Sequence, residues 1–156
     1  MTRCFFLFLF LINAASARIG ETLEECTKRY VEISHQSTFE NGMKYFLALT
    51  PEMIHVKLFF IPKIFGKDKE AVYICCRIQY TSQYQFSKED LLQLVAKNFP
   101  EKAMPVTLDK IEKETVYLIW ENSRGDKANG FSELKHNNMN LECFSADYFN
   151  YKALHE

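Results

Sequence analysis

The chain has 156 residues, of which 25 % are charged, and a formal net charge of −1 at pH 7. Its basic and acidic residues are interleaved, as in Lys67–Glu70 and Asp109–Glu114, so it lacks the basic stripe that nucleic-acid binding requires. Hydrophobic residues make up 47 % of the chain, with 14 Phe and 8 Tyr but only five Gly and four Pro, a composition that excludes a disordered protein.

The first 17 residues have the order of a secretory signal peptide. Arg3 supplies a positive charge, Phe5–Ile12 is an unbroken apolar run, and small residues lead to a predicted cleavage site after Ala17. Eight apolar residues are too few to span a bilayer, which takes roughly 20 in a helix, so an uncleaved anchor is the weaker alternative. Arg18 stands where a lipoprotein would have its cysteine, so no lipid anchor is predicted.

Cleavage at this site defines two predicted regions, a signal peptide at residues 1–17 and a single domain at residues 18–156. The domain has 139 residues, a size that suits one hydrophobic core. Because the signal region holds one basic and no acidic residue, the net charge of the domain is −2. We expect a secreted or periplasmic protein without stable membrane insertion.

The domain begins with a predicted short helix. Thr22 is a good N-cap, and Glu25 three residues later completes a capping box. Leu23, Cys26 and Tyr30 follow a helical spacing and share one face. This face is expected to pack on the core.

Strands and a second helix follow. The second helix starts at Ser87, which serves as its cap, carries Glu89 and Asp90 in the first turn, and ends before Pro100. The predicted strands are Lys44–Leu49, Ile54–Ile61, Ala71–Thr81, Thr115–Trp120 and Met139–Ser145, with a hairpin connection at Thr50–Met53. This order predicts a single α+β domain, an antiparallel β-sheet with two helices packed on one face.

The strand Ala71–Thr81 contains two adjacent cysteines. Because side chains alternate between the two faces of a strand, Cys76 is predicted to lie on the apolar face with Ile78. Cys75 is then predicted on the more polar face beside Arg77. Two neighbouring strand residues cannot converge on one metal ion without a bend.

Four cysteines remain after cleavage of the signal peptide, and they are the candidate site residues of the domain. An even number in an exported chain is compatible with one or two disulfides, and four cysteines allow three connectivities. A bridge to Cys76 from either Cys26 or Cys143 fits the predicted elements. The alternative is four buried thiols that act as small hydrophobic residues. The possible disulfide residues are Cys26, Cys75, Cys76 and Cys143.

Motifs for catalysis, cofactors and metals are absent from the sequence. The histidines His35, His55, His136 and His155 are scattered and form no metal-binding pattern, and no CxxC spacing is present. A thiol enzyme that pairs Cys75 with His55 on a neighbouring strand is the less favoured alternative. We therefore predict no catalytic residue, no metal and no cofactor.

The tripeptide Arg124-Gly125-Asp126 is a motif that integrins read in extracellular proteins. Its surroundings, Asn122–Asp126, read more simply as a polar turn after the strand Thr115–Trp120. The aromatic segment Tyr148–Tyr151 is interpreted as a cover for the core and not as a docking site.

The segment after the predicted cleavage site contains Gly20-Glu21-Thr22, Cys26 and Arg29-Tyr30 in a GETxxxCxxRY pattern. In this pattern it resembles a group of small uncharacterised secreted proteins from verrucomicrobial bacteria. Val31 replaces the glycine that ends the pattern in that group, so the helix is expected to end less sharply. The later helix Ser87–Leu92 and the strand with Trp120 are also similar. More distantly, the helix-first order resembles envelope-assembly lipoproteins of the BamE type, without their anchor cysteine. The resemblance implies no known activity and no functional residues.

These patterns predict a small exported protein that acts by binding another protein in the cell envelope or extracellular space. They do not predict an enzyme or a nucleic-acid partner, and the protein partner is not identified by the sequence. The alternatives are an inhibitor-like module of a secreted enzyme and, with less support, the thiol-dependent enzyme.

Overall fold

The computed structural model describes residues 18–50, 54–65, 70–82, 88–99, 111–112, 115–133 and 138–155. Some of the predictions above concern residues outside these ranges. They are the signal peptide at residues 1–17, the turn at residues 51–53, the helix cap Ser87 and His136.

Within the described residues, three helices accompany eight strands. In chain order the elements are α1 (Leu23–Thr27), β1 (Glu32–Thr38), β2 (Lys44–Leu49), β3 (His55–Lys63), β4 (Val72–Ser82), α2 (Lys88–Asn98), β5 (Ile111–Glu112), β6 (Thr115–Glu121), β7 (Lys127–Glu133), β8 (Asn138–Phe144) and α3 (Ala146–His155). The strands form one sheet in the order β1-β2-β3-β4-β8-β7-β6-β5. Every neighbouring pair is antiparallel, which confirms the predicted α+β class and antiparallel sheet.

The start of α1 has the predicted capping box. The backbone N–H of Glu25 donates to Oγ1 of Thr22 at 3.2 Å, and the backbone N–H of Thr22 donates to the Glu25 carboxylate at 2.8 Å. Each side chain thus satisfies a backbone donor that the first helical turn leaves unpaired. Glu21 lies before the helix and Arg29 after it, and their side chains form an ion pair with an N–O distance of 2.6 Å.

The capping box makes stability depend on pH. The backbone N–H and the hydroxyl of Thr22 lower the pKa of Glu25 below its ordinary value of 4.5. The carboxylate therefore stabilises the fold above that ordinary value, and this contribution is lost as the pH falls through the lowered pKa. We expect Glu25→Gln to lose less stability than the wild type between pH 7 and pH 3, measured by thermal unfolding. Glu24→Gln, the exposed neighbour, is the matched control, and equal acid sensitivity of wild type and Glu25→Gln would contradict the role of the box.

One face of the sheet, here called the inner face, carries the larger hydrophobic cluster. Alternate residues of the strands point into it, as the fully buried Leu58, Ile78 and Leu141 do. Helix α2 covers this face with its buried side chains Leu91, Leu94 and Val95, Phe99 follows directly after the helix, and α1 adds Cys26. Residues of both α1 and α2 therefore belong to the inner-face core.

The opposite, outer face carries a smaller cluster that helix α3 covers. Phe59, Ile61 and Cys76 form its buried part, and Tyr148 and Tyr151 of α3 pack against them. The prediction that helices lie on one face alone is therefore incomplete, since α3 was not predicted as a helix and covers the other face. Its aromatic residues do cover a part of the core.

Strand β4 contains a bulge at its pair of cysteines. Phe59 pairs with Arg77 and Phe60 pairs with Cys75, so Cys76 is the extra residue. The extra residue reverses the alternation of side chains beyond it: Cys75 lies in the inner cluster, and Cys76 lies in the outer one. The predicted orientation of these two residues is wrong for this reason.

Candidate functional site

The outer face of the sheet is only partly covered by α3 in the described structure. The aromatic side chains of α3 lie over the end of the face that holds Phe59 and Phe144. Farther along the strands, outer-face side chains remain exposed or half-buried. We call this region the open face, and its residues are Tyr117, Ile119, Asn129, Phe131, Asn140 and Gln79.

Strand β6 makes the apolar part of the open face. Its inward side chains, Leu118 and Trp120, are 2 % and 3 % exposed. Its outward side chains, Tyr117 and Ile119, are 41 % and 47 % exposed. A strand that is apolar on both sides is typical of a sheet covered on both faces, yet the described residues cover only one side of β6.

Cross-strand pairing extends the open face over the neighbouring strands. Tyr117 lies opposite Phe131 of β7, and Phe131 lies opposite Asn140 of β8. In the next row, Ile119 lies opposite Asn129, whose other neighbour is Glu142. The surface is therefore apolar at Tyr117, Ile119 and Phe131, and it becomes polar at Asn129 and toward β8.

Polar groups at the boundary of the open face are already paired with one another. Glu142 binds the guanidinium of Arg77 at 3.1 Å, and the amide of Gln79 donates to Asn140 at 3.5 Å. Such pairs hold the polar border in place and leave the apolar side chains as the part that a partner would cover.

The Arg77 side chain lies between the sheet and α3 and contacts both. Its guanidinium lies over the rings of Phe59, Phe144 and Tyr148, at 4.7, 5.3 and 5.8 Å from the ring centroids. Its Nε is buried without a hydrogen-bond partner among the described residues. The stacked rings and Glu142 occupy the guanidinium, so Arg77 is a structural residue at the edge of the open face.

The four candidate cysteines are all buried thiols, and the structure does not bring them together at one point. Cys26, Cys75 and Cys143 belong to the inner cluster, whereas Cys76 belongs to the outer one. The predicted bridges from Cys26 or Cys143 to Cys76 would have to cross the sheet. They do not fit this geometry.

Cys75 has the environment of a structural thiol. Burial raises the pKa of Cys75 well above its ordinary value, and burial likewise raises the pKa of Cys76 to about 12. His55, the base considered for a thiol enzyme, pairs with Thr81, six residues along β4 from Cys75 and therefore about 20 Å away. The structure does not assemble this pair.

Within the described parts of the chain, no group of three His, Cys, Asp or Glu residues is arranged to hold a metal ion. No helix among these residues is long and apolar enough to cross a membrane.

The Arg124-Gly125-Asp126 turn connects β6 and β7 and has Gly125 at a φ of 82°. The Asp126 carboxylate accepts hydrogen bonds from Asn122, from the Arg124 guanidinium and from the backbone N–H of Ala146, at 2.8, 3.1 and 2.9 Å. These bonds join the turn to the start of α3. An adhesive tripeptide would have to present the Asp126 carboxylate to its receptor, but these hydrogen bonds already occupy it.

A cleft of about 570 Å³ lies beside this turn. Three acidic residues of its lining have cationic partners: Glu21 is bound to Arg29, Asp126 to Arg124, and Asp147 to Lys63. The first pair flanks α1, the second lies within the β6–β7 turn, and the third joins β3 to α3. Each of these three carboxylates therefore has a structural partner.

No protein-family model matches the chain, and neither a curated protein nor a solved structure matches it. The resemblance to secreted verrucomicrobial proteins and to BamE-type proteins therefore stays a prediction from short motifs. The open face is the feature from which function is inferred.

The open face was not among the sequence predictions, although the sequence contains a signal for it. The run Tyr117–Trp120 is apolar at every position, so both sides of this strand need a cover. Whether the outer side of β6 is covered depends on where α3 packs, and the sequence pattern does not show that position.

Proposed function

We propose that the protein is exported and acts, without catalysis, by binding another protein through the open face. The observation that carries this proposal is the exposure of Tyr117 and Ile119 beside each other on one strand of an ordered sheet. Neighbouring exposed apolar side chains with a polar border are typical of protein-interaction surfaces. The signal-peptide pattern at residues 1–17 supports export.

The chemistry of the open face indicates the kind of partner. Tyrosine and isoleucine offer apolar contact area, and the phenol hydroxyl of Tyr117 adds one polar group at its edge. Asn129 and Asn140 border them with neutral hydrogen-bonding groups. We therefore expect a partner that inserts apolar side chains between Tyr117 and Ile119 and places neutral polar groups over the border.

The first experiment identifies the partner by site-specific crosslinking. A photoreactive amino acid replaces Ile119 on the open face or, as the control, Leu154 of α3, which is 81 % exposed but lies outside the open face. The proteins crosslinked in the exported fraction of the native cells are identified by mass spectrometry. A protein captured at residue 119 and not at residue 154 is then purified for binding measurements.

The second experiment measures affinity with the purified partner. We expect the double variant Tyr117→Ser/Ile119→Ser to bind at least about tenfold more weakly than the wild type, because buried apolar anchors supply most interface energy. The control Leu154→Ser/Ile64→Ser changes two exposed apolar residues elsewhere and is expected to bind normally. Equal affinities of the two double variants would overturn the proposal.

The same partner distinguishes the inhibitor alternative. If the partner is a secreted enzyme and its activity falls on addition of the wild-type protein but not of Tyr117→Ser/Ile119→Ser, the open face is an inhibitory surface. If sedimentation shows that the wild type self-associates and that the double variant is monomeric, the partner is a second copy of this chain.

A further inference from the structure

The segment before α1 pairs with the bulged strand β4. The N–H of Gly20 donates to the C=O of Cys75 at 2.8 Å, and the N–H of Cys75 donates to the C=O of Glu21 at 2.8 Å. Thr22 and Ile74 form an antiparallel bridge next to these bonds. The backbone of Cys75 is therefore fixed directly beside the residues that lead into α1.

Cys26 lies one helical turn after this bridge. Its N–H donates to the C=O of Thr22 at 3.0 Å, which places it above the bridge residue. Because the Cα–Cβ bonds of a helix tilt toward its N-terminus, the Cys26 side chain leans back toward the bridge and Cys75. Both cysteines are 0 % exposed and belong to the inner cluster.

The bulge in β4 is what turns Cys75 toward α1. With regular alternation, Cys75 would share the outer face with Arg77, as the sequence pattern predicts. The extra residue Cys76 places Cys75 on the inner face instead, on the same side as Cys26. The Cys26 thiol is also the next cause, after burial, of the raised pKa of Cys75.

The other two cysteines are directed elsewhere. The thiol of Cys76 donates to the C=O of Phe59 at 3.2 Å on the outer face. Cys143 lies on β8 opposite Ile78, three residues along β4 from Cys75, a distance of about 10 Å along the strand.

We propose that Cys26 and Cys75 form a disulfide in the exported protein. The proposal rests on the export proposed above, because an oxidising compartment is needed, and it does not depend on the partner. The bond connects α1 to β4 across a chain separation of 49 residues that includes β1, β2 and β3. Disulfides that close long loops restrict the unfolded chain most.

The oxidant is a disulfide of the thiol–disulfide exchange class. One thiolate of the pair attacks a sulfur of that disulfide and forms a mixed disulfide, while the first thiol of the oxidant leaves. The second thiolate then attacks the mixed disulfide, so the Cys26–Cys75 bond forms and the second thiol leaves. Two protons from the cysteines pass to the two departing thiolates. Since both cysteines are buried in the folded state, this exchange precedes the closure of the core.

The deciding experiment is the intact mass of the exported protein, unreduced and alkylated in denaturant. We expect a chain that starts at Arg18 and carries two alkyl groups, on Cys76 and Cys143, together with a linked Cys26–Cys75 peptide after digestion. Four alkyl groups on that chain, or a linked peptide that contains Cys76 or Cys143, would overturn the disulfide and leave export standing. Five alkyl groups on a chain that keeps Met1, and with it Cys4, would overturn both.

Stability provides a second readout. Reduction is expected to lower the melting temperature of the wild type by about 10 °C, given the length of the closed loop. Cys143→Ala keeps the pair and is expected to show the same drop, whereas Cys26→Ser, if it folds, is expected to melt at one temperature with or without reductant. A wild type that is insensitive to reduction would contradict the proposal.

Discussion

Replacing Trp120 by alanine is expected to lower the free energy of unfolding by about 3–5 kcal/mol, because a large buried aromatic side chain is lost and a cavity remains. Trp120 is 3 % exposed and stacks on Phe99 with ring centroids 4.3 Å apart. This stack joins the end of α2 to β6 on the inner face. Its loss therefore removes both core volume and a contact that holds the helix on the sheet.

A second aromatic residue of β6 provides the matched control for this prediction. Tyr117 is an aromatic residue of the same strand, but it is 41 % exposed on the outer face. Tyr117→Ala is expected to lower the free energy of unfolding by no more than about 1 kcal/mol. Chemical denaturation of both variants measures the difference. Similar losses of stability in the two variants would mean that Tyr117 is buried within the protein itself. The open face would then not be available to a partner.

The second large effect is expected at Gly130 of β7, which lies opposite Leu141 of β8. A side chain at Gly130 would place its Cβ 2.8 Å from Cδ1 of Leu141 and 3.1 Å from the backbone O of Asn140. We expect Gly130→Ala to lower the free energy of unfolding by about 1–3 kcal/mol through overpacking. Leu141→Ala alone, which empties a fully buried site, is expected to lower it by about 2–5 kcal/mol.

The double variant tests whether these two positions share one space. If the added methyl group of Gly130→Ala fills part of the cavity left by Leu141→Ala, the double variant loses less stability than the two single variants together. Asn129→Ala, on the exposed side of β7, is the control and is expected to change stability by less than about 0.5 kcal/mol. Strict additivity of the two core substitutions would show that the close approach does not matter.

The two effects have the same origin as the open face. On β6 and β7, Leu118, Trp120 and Ala128 are buried on the inner face, whereas the outer-face residues are exposed or half-buried. A binding variant such as Tyr117→Ser/Ile119→Ser can therefore change the outer face without a large loss of stability. This separation is what makes the binding experiment interpretable.

Local patterns in the sequence were sufficient for most of the regular elements. The capping box of Thr22 and Glu25, the strand Lys44–Leu49 and the helix that begins near Lys88 agree with the structure. Each depends on residues that are close in the chain: a cap beside its helix, or an apolar spacing of two or of three to four. Such signals do not require knowledge of the rest of the fold.

Other elements lacked a local signal. Strand β1 (Glu32–Thr38) is an edge strand with mostly exposed polar residues, and it pairs with β2 through an irregular register. Strand β7 contains Asn129-Gly130, a pair that favours a turn, but in the sheet the glycine provides room for Leu141. Helix α3 has no buried residue, so it lacks the buried apolar stripe by which a helix is recognised in a sequence. Strand pairing determines β1 and β7, and packing on the outer face determines α3, rather than local preference.

The sequence by itself determined the α+β class, the antiparallel sheet, the helix cap and the interleaved charges that give no basic stripe. Only the tertiary structure decided the direction of the two adjacent cysteines, because the bulge at Cys76 arises from the register between β3 and β4. It also decided that Tyr117 and Ile119 stay exposed, because α3 covers the other part of the outer face. Side-chain alternation is a local property, whereas register and cover depend on segments that are distant in the chain.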